Sequence, residues 1–231
     1  MEMDIHSHIL PGIDDGAPDL ETSIHLIKGL YALGIRKSIA TPHIIGDLYR
    51  NTPETINKAL FKVRMACSNE GINMEISAAA EYMLDDHFME LQGQLQPLLT
   101  LYKNIILTEI PYSLPPNNLE EMVFSIITRG YQPVLAHPER YFYYHKNPDK
   151  YHFLMDLGFH LQVNLLSLTD YYGKAVTRAA KYILKNGLAK LVATDLHHAR
   201  HLAVFQDKKN QDIFREYLGN GKFNDLDELL S

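Results

Sequence analysis

Tryptophan is absent from the 231 residues, and cysteine occurs once, at Cys67. A lone cysteine cannot form an internal disulfide, which fits a reducing compartment and points to the cytoplasm. It also leaves no thiol phosphatase loop: that chemistry needs an arginine closing a short loop after the cysteine, and Asn73 stands where it would be. Cys67 therefore reads as core packing on a helix over residues 55–68. Long apolar runs are missing as well. The stretch around Ile105 to Leu107 is far shorter than the roughly 20 residues a bilayer core demands, so no membrane span is expected. The start Met1-Glu2-Met3-Asp4 has neither a basic nor an apolar leader region, so no secretory signal is expected. Basic charge is in deficit, with 22 Lys and Arg against 28 Asp and Glu for a formal charge of −6. That argues against a nucleic-acid partner, which calls for a basic stripe to displace counterions. Neither a G-x-S-x-G elbow nor a P-loop occurs, and the Gly219-Asn220-Gly221 run meets Asn224 where a dinucleotide loop wants glycine.

What is present in quantity is histidine, twelve in all. Against one cysteine, that number points any metal site toward imidazole and carboxylate ligands. The remaining composition, 46% hydrophobic and 22% charged, is that of a globular protein. No linker-like tract or repeat divides the chain, so residues 1–231 read as one domain.

Periodicity alternates between two types. Strand-like runs cover residues 3–6, 35–41, 74–80, 104–108, 133–136, 159–163 and 189–194. Between them, apolar residues recur at helical spacing over 20–33, 55–68, 119–128, 151–157 and 175–184. Asp19, Thr52-Pro53-Glu54 and Asn117 or Asn118 are start signals, and Gly34, Gly71, Gly130, Gly158 and Gly187 are stop signals. Strand and helix in alternation predict a parallel sheet with crossover helices. Seven units are enough to close a barrel, although pattern alone leaves an open doubly wound sheet in play.

The chemistry lies at the strand ends. The first run leads into His6 and His8, the second into His43, the third into Glu81, the fourth into Glu109, the fifth into His137-Pro138-Glu139-Arg140, the sixth into Asn164, and the seventh into Asp195-Leu196-His197. In a parallel barrel all of these ends share one face, where barrel enzymes build their sites. His6 and His8 stand two apart, as do Asp195 and His197, so each pair projects to one side of an extended strand. Gathered carboxylates repel one another unless cations neutralise them, and the number of candidate ligands calls for two or three ions. Mixed His and carboxylate ligands suit Mn²⁺, Fe or Zn²⁺.

The set His6, His8, His43, Glu81, Glu109, His137, Asp195 and His197 resembles the site of the polymerase and histidinol phosphatase (PHP) superfamily. Within that superfamily, the Gly12-Ile13-Asp14-Asp15-Gly16, Ala79-Ala80-Glu81-Tyr82, His137-Pro138-Glu139-Arg140-Tyr141 and Gln162-Val163-Asn164 runs are similar to those of bacterial capsular-polysaccharide tyrosine phosphatases of the CpsB/YwqE type. The resemblance implies a distorted (β/α)7 barrel of the PHP fold with three divalent ions, manganese first among them. His6, His8, Glu81 and Asp195 would hold one ion, Glu81, Glu109 and His137 a second, and Asp14, His43 and His197 a third. It further implies hydrolysis of phosphotyrosine on a partner, the tyrosine-rich tail of a bacterial kinase in capsule or exopolysaccharide assembly.

Metal-activated water removes the need for a protein nucleophile. Arg140 is the expected bidentate phosphate contact. His43, or a histidine left unligated, is the candidate proton donor to the leaving oxygen. Arg200 is the candidate second phosphate clamp, although it stands nearer to His197 than the matching arginine of the relatives. Tyr141 and its aromatic neighbours through Tyr144, together with Tyr171-Tyr172, form either a wall for a phenyl ring or ordinary packing. Asp47 and Arg50 read as a solvated loop. His25, His87, His145, His152 and His160 read as bystanders, whereas His198 and His201 fall close to the pocket. Residues 206–231 read as one or two terminal helices, covering the barrel base or forming an oligomer contact. The rival readings are a small-molecule phosphomonoesterase such as a histidinol phosphatase, a nuclease-like enzyme, and a catalytically idle metal-binding regulator of a kinase.

Overall fold

The computed structural model describes residues 1–94, 96–219 and 222–230. Nine strands occur among them: β1 (Met3–Ser7), β2 (Lys37–Ala40), β3 (His43–Ile44), β4 (Glu75–Ala78), β5 (Glu81–Met83), β6 (Ile105–Glu109), β7 (Gln132–Ala136), β8 (His160–Asn164) and β9 (Ala189–Ala193). All ladders between them are parallel, in the orders β1-β2-β4 and β3-β5-β6-β7-β8-β9. Two staves are broken. Thr41-Pro42 separates β2 from β3, where proline supplies no ladder donor, and Ala79-Ala80 separates β4 from β5. Each broken pair acts as one stave, which leaves seven around the barrel. The ring closes where the Asp195 amide donates to the His6 carbonyl and the His8 amide to the Leu196 carbonyl, both at 2.9 Å. The fold is a distorted (β/α)7 barrel.

The crossover helices begin where local chemistry dictates. In α1 (Leu20–Ala32), the Asp19 side chain accepts from the Thr22 amide at 2.8 Å. Proline stands in the first turn of α2 (Pro53–Asn69), behind a reciprocal Thr52/Thr55 capping box. Each cap contributes about 1 kcal/mol. The remaining helices are α3 (Asp86–Gly93), α4 (Leu119–Thr128), α5 (Asp149–Asp156), α6 (Lys174–Lys185), α7 (Ala199–Gln206) and α8 (Lys208–Leu218). Asn118 stands before α4 but makes no side-chain cap bond, which departs from the sequence expectation. All five glycines expected to end helices have positive φ. Gly158 is also confined sterically, since a Cβ there would stand 2.6 Å from Cδ1 of Ile127.

Two apolar layers hold the barrel. The outer one joins helices to strands through residues such as Leu26, Ile27, Leu30, Val123 and Leu154. Inside the barrel, Ile5, Ile39, Leu107, Val134 and Leu191 interdigitate, and Leu226 and Leu229 of the tail complete the cluster. Burial of each such side chain is worth roughly 1.5–3 kcal/mol. Of the one or two terminal helices expected over residues 206–231, α8 is present. Residues 222–230 form a strap across the base of the barrel that ends in a 3-10 turn over Glu228–Leu230; of the Gly219-Asn220-Gly221 run only Gly219 is among the described residues.

Asn224 fixes the strap at the seam. Its amide nitrogen donates to the Val192 and Met3 carbonyls, its oxygen accepts from the Val192 amide, and its own backbone N–H reaches the Lys190 carbonyl. The side chain substitutes for ladder bonds that β1 and β9 do not make with each other at that level.

Candidate metal centre

At the other end of the barrel, the strand C-termini bring together the residues marked in the sequence. β1 carries His6, with His8 just beyond; β3 opens on His43, β5 on Glu81, and β6 ends in Glu109. His137 and Asp195 follow β7 and β9 in left-handed backbone, with φ of 39° and 49°. Such a conformation is strained for a non-glycine residue, and strain of this kind gathers at working sites. In both, the amide still continues the ladder, His137 to the Gln162 carbonyl at 2.8 Å and Asp195 to the His6 carbonyl.

Glu81 is the hub of the cluster and is fully buried. Its Oε2 lies 3.2 Å from His6 Nε2, 3.3 Å from His8 Nε2 and 3.1 Å from His43 Nδ1, while Oε1 is 3.0 Å from His137 Nε2. His43 Nδ1 is also 2.8 Å from Glu109 Oε1. Yet those two atoms, with Asp195 Oδ1, are buried without any hydrogen-bond partner. A pair that is close but not aligned for a hydrogen bond leaves its lone pairs free for a third body, as cation ligands require.

Among the described residues, four sets of side chains could hold an ion, each with its ligand atoms within 4.8 Å of one another: His8, Asp15, His43 and His197; His6, His8 and Glu81; His6, His137 and Asp195; and His43, Glu81 and Glu109. Imidazole and carboxylate donors of this kind fit Mn²⁺, Fe or Zn²⁺. Electrostatics point the same way. Burial opposes charge on His43, but Glu109 and Glu81 outweigh it and raise its pKa to about 9. His6 and His8 are raised against the same burial penalty, by Glu81 with Asp195 and by Asp14 respectively. In return Glu81 and Asp195 are held well below the carboxylate range, in spite of burial, with His6 the main partner of each. The cluster draws positive charge, and in the absence of metal it takes protons.

Several expected roles change. Asp14 was placed among the ligands, but its Oδ2 accepts from His8 Nδ1 at 2.8 Å and from the His43 amide at 3.2 Å, and its Oδ1 accepts from the Gly16 amide. It lies behind His8 and His43, outside the potential ligand sets found among the described residues, one of which takes in Asp15, 3.5 Å from His43 Nε2 and 3.6 Å from His197 Nε2. Gly16 makes this loop feasible, because a Cβ there would stand 2.0 Å from the His8 carbonyl oxygen. His43 is no proton donor in this geometry, since both of its ring nitrogens face carboxylates. Tyr141 cannot contact substrate: it is fully buried, donates to the Ala136 carbonyl and accepts from the Ile110 amide. Arg200 is exposed in the first turn of α7 and belongs to none of the potential ligand sets among the described residues.

The arginine beside the cluster is Arg140, which donates to Asp195 Oδ2 at 3.1 Å. Tyr112 and Tyr172 offer it their faces, at 4.9 and 4.4 Å from the ring centroids. Such stacking restrains the guanidinium at little cost to its charge. Tyr112 was missed in the sequence, although it follows Glu109 at the same distance as Arg140 follows His137. His201 is buried and neutral, its pKa lowered to about 3 by burial and His198, and its Nδ1 accepts from the His197 amide. Asp47 and Arg50 are exposed, as is His25. None of His25, His87, His145, His152 and His160 joins a potential ligand set among the described residues.

Comparison with known proteins matches this geometry to a lineage. A family profile described as capsular polysaccharide synthesis, CpsB/CapC, covers residues 2–217. The chain belongs to the CpsB/CapC family. Among curated relatives of this family, the tyrosine-protein phosphatase YwqE of Bacillus subtilis is 30% identical over 198 residues, spanning 86% of this chain and 78% of YwqE. The tyrosine-protein phosphatase CpsB of Streptococcus pneumoniae is 27% identical over 221 residues, 93% of this chain and 90% of CpsB. A crystal structure from work on YwqE and CpsB, described as unique metal-dependent tyrosine phosphatases, superposes with a TM-score of 0.84 at 29% identity, covering 94% of this chain and 88% of its own. A lactonase from Listeria monocytogenes, at TM-score 0.56 and 12% identity over 96% of this chain and 91% of its own, shares the barrel fold alone. Among the described residues no helix is long and apolar enough to cross a membrane.

Proposed function

We propose that this chain is a metal-dependent phosphatase that hydrolyses phosphotyrosine, with the tail of a tyrosine kinase of capsule or exopolysaccharide assembly as its substrate. The observation that carries the reading is the buried cluster around Glu81, with its unpartnered His43, Glu109 and Asp195 atoms, opening beside a stacked Arg140. The relatives named as tyrosine phosphatases support the choice of substrate.

His6, His8, His137, Asp195, Glu81, Glu109, His43, His197 and Asp15 would hold the metals, three Mn²⁺ in this reading. Bound there, such ions lower the pKa of water and neutralise phosphoryl charge. The protein's own part is placement. Arg140 presents its guanidinium to the phosphate while Asp195 and the two tyrosine faces keep it from swinging into solvent. Tyr112 stacks on the His137 ring at 5.7 Å and is 42% exposed, so its exposed edge borders the space where an aromatic leaving group would lie. A phenolate, with pKa near 10, departs without strong acid assistance, which fits a site whose histidines are committed to other work. Cys67, buried on α2, takes no part, and its free thiol suits the cytoplasm.

Phosphotyrosine peptide, histidinol phosphate and p-nitrophenyl phosphate, assayed side by side with added Mn²⁺, test this reading. Preference for the peptide is expected. Preference for histidinol phosphate would replace the substrate, and no hydrolysis by metal-loaded protein would end the enzyme reading.

A further inference from the structure

The proposed ligands of β1 and β9 are joined by a chain of side-chain amides on β8. His6 Nδ1 lies 2.8 Å from Gln162 Oε1, Gln162 Nε2 donates to Asn164 Oδ1 at 2.9 Å, and Asn164 Nδ2 donates to Asp195 Oδ2 at 2.6 Å. Gln162, Asn164 and His6 are fully buried and Asp195 is nearly so, which shields the chain from water.

Only one polarity satisfies every member. Asp195 Oδ2 already accepts from Arg140 Nη1 at 3.1 Å, so it serves as an acceptor and Asn164 must turn its NH₂ toward it. The Asn164 oxygen then faces Gln162 and requires the Gln162 NH₂. That leaves the Gln162 oxygen against His6 Nδ1, which must carry a hydrogen. The reverse orientation would set two acceptors 2.6 Å apart at Asp195, a costly arrangement in a buried site. The two ends are thereby fixed together. His6 is held with Nδ1 protonated, which frees the Nε2 lone pair. Asp195 Oδ2 is occupied by Asn164 and Arg140, which leaves Oδ1 unpartnered, 3.3 Å from His6 Nε2. The chain is itself anchored: Glu139, buried behind it, accepts from the Asn164 amide at 2.9 Å and from Ser167 Oγ at 2.6 Å.

We propose that Gln162 and Asn164 are positioning residues, an amide relay through which the Asp195 carboxylate sets the tautomer of His6 and the pair is presented to a cation as one preformed unit. The proposal rests on the metal-centre reading above. Partners behind metal ligands are commonly worth 10–100-fold in metal affinity.

The test is Mn²⁺ titration calorimetry on metal-stripped wild type and on Gln162→Met, Gln162→Glu and Asn164→Leu, with each metal-free variant melted by circular dichroism as a control for folding. Gln162→Met and Asn164→Leu are expected to weaken the affected Mn²⁺ site on the order of 10–100-fold. The double variant should be no weaker than the poorer single one, because both break one chain. Gln162→Glu keeps an acceptor for His6 Nδ1–H but sets a carboxylate oxygen against Asn164 Oδ1, so it should stay weakened like Gln162→Met, and recovery to wild-type affinity would show that an acceptor at His6 suffices without the relay. If Gln162→Met does not fold, Asn164→Ser opens the same chain with a smaller change and carries the same expectation. Affinity equal to wild type in the folded single variants, or additive losses in the double one, would overturn the relay while leaving the metal centre standing. Wild-type protein that binds no Mn²⁺ would overturn both.

Discussion

Stripping the metal should expose the charge demand of the cluster as a pH-dependent stability of the protein itself. His43 is the group to follow, because Glu109 and Glu81 raise its pKa from 6.5 to about 9 over the opposition of burial. Its folded-state pKa lies above the unfolded one, so the stabilisation is fully present below pH 6.5 and is lost as pH rises through about 9. At about 1.36 kcal/mol for each tenfold change in proton affinity, this is a loss of about 3 kcal/mol. His6 and His8 are raised too and add loss of the same sign. His197, lowered to about 4 by burial and His8, is neutral in the folded state across this window but half protonated in the unfolded state at pH 6.5, so it offsets the loss by about 0.4 kcal/mol as pH rises. Glu81 and Asp195, held low, are ionised throughout it. For a chain of this size about 3 kcal/mol corresponds to a fall in Tm of roughly 6–12 °C. Thermal melts of chelator-treated protein between pH 6.5 and 9 measure it. With saturating Mn²⁺ the fall should vanish, because ligation replaces the protons and favours deprotonated side chains. A flat Tm across that range in metal-free protein would refute the electrostatic reading of the cluster.

Other predictions concern single side chains. Glu81→Ala, which removes the carboxylate facing four imidazoles, should reduce Mn²⁺ content and take activity to background, while His25→Ala on the exposed face of α1 leaves both near wild type; equal loss would erase the distinction between ligands and bystanders. Arg140→Lys keeps a charge but not the planar fork, and kcat/KM for a phosphotyrosine peptide should drop on the order of 10²-fold without loss of bound metal. Asn224→Ala leaves the Val192 amide without its acceptor at the barrel seam and should cost about 1–3 kcal/mol in chemical denaturation, with kcat unchanged in the folded fraction.

The sequence made the barrel readable because each stave carries its own short apolar run and each run ends in a polar residue. It hid the breaks at Thr41-Pro42 and Ala79-Ala80, where apolar character continues although the ladder stops. It also hid α3 and α7, each eight residues long and lacking a long amphipathic stripe. Within the site, residues on strand ends could be anticipated from spacing alone, whereas loop residues could not. Asp14 and Asp15 are neighbours of the same type, and only the fold of the loop around Gly16 turns one toward His8 and the other toward His43 and His197. Tyr141 was drawn toward the substrate by its place beside Arg140, yet a 3-10 turn over Pro138–Arg140 sends its ring into the core. The aromatic faces against Arg140 come from Tyr112 and Tyr172, on two other loops. Asn224 gives no local signal at all, because its partners Met3 and Val192 are remote in sequence.

The central claim is that the cluster around Glu81 is a cage for several divalent ions. Anomalous diffraction at the manganese edge from Mn²⁺-soaked crystals tests it most directly. Three peaks are expected among His6, His8, Asp15, His43, Glu81, Glu109, His137, Asp195 and His197, with Arg140 at their edge. An empty cage in crystals that bind manganese elsewhere would contradict it.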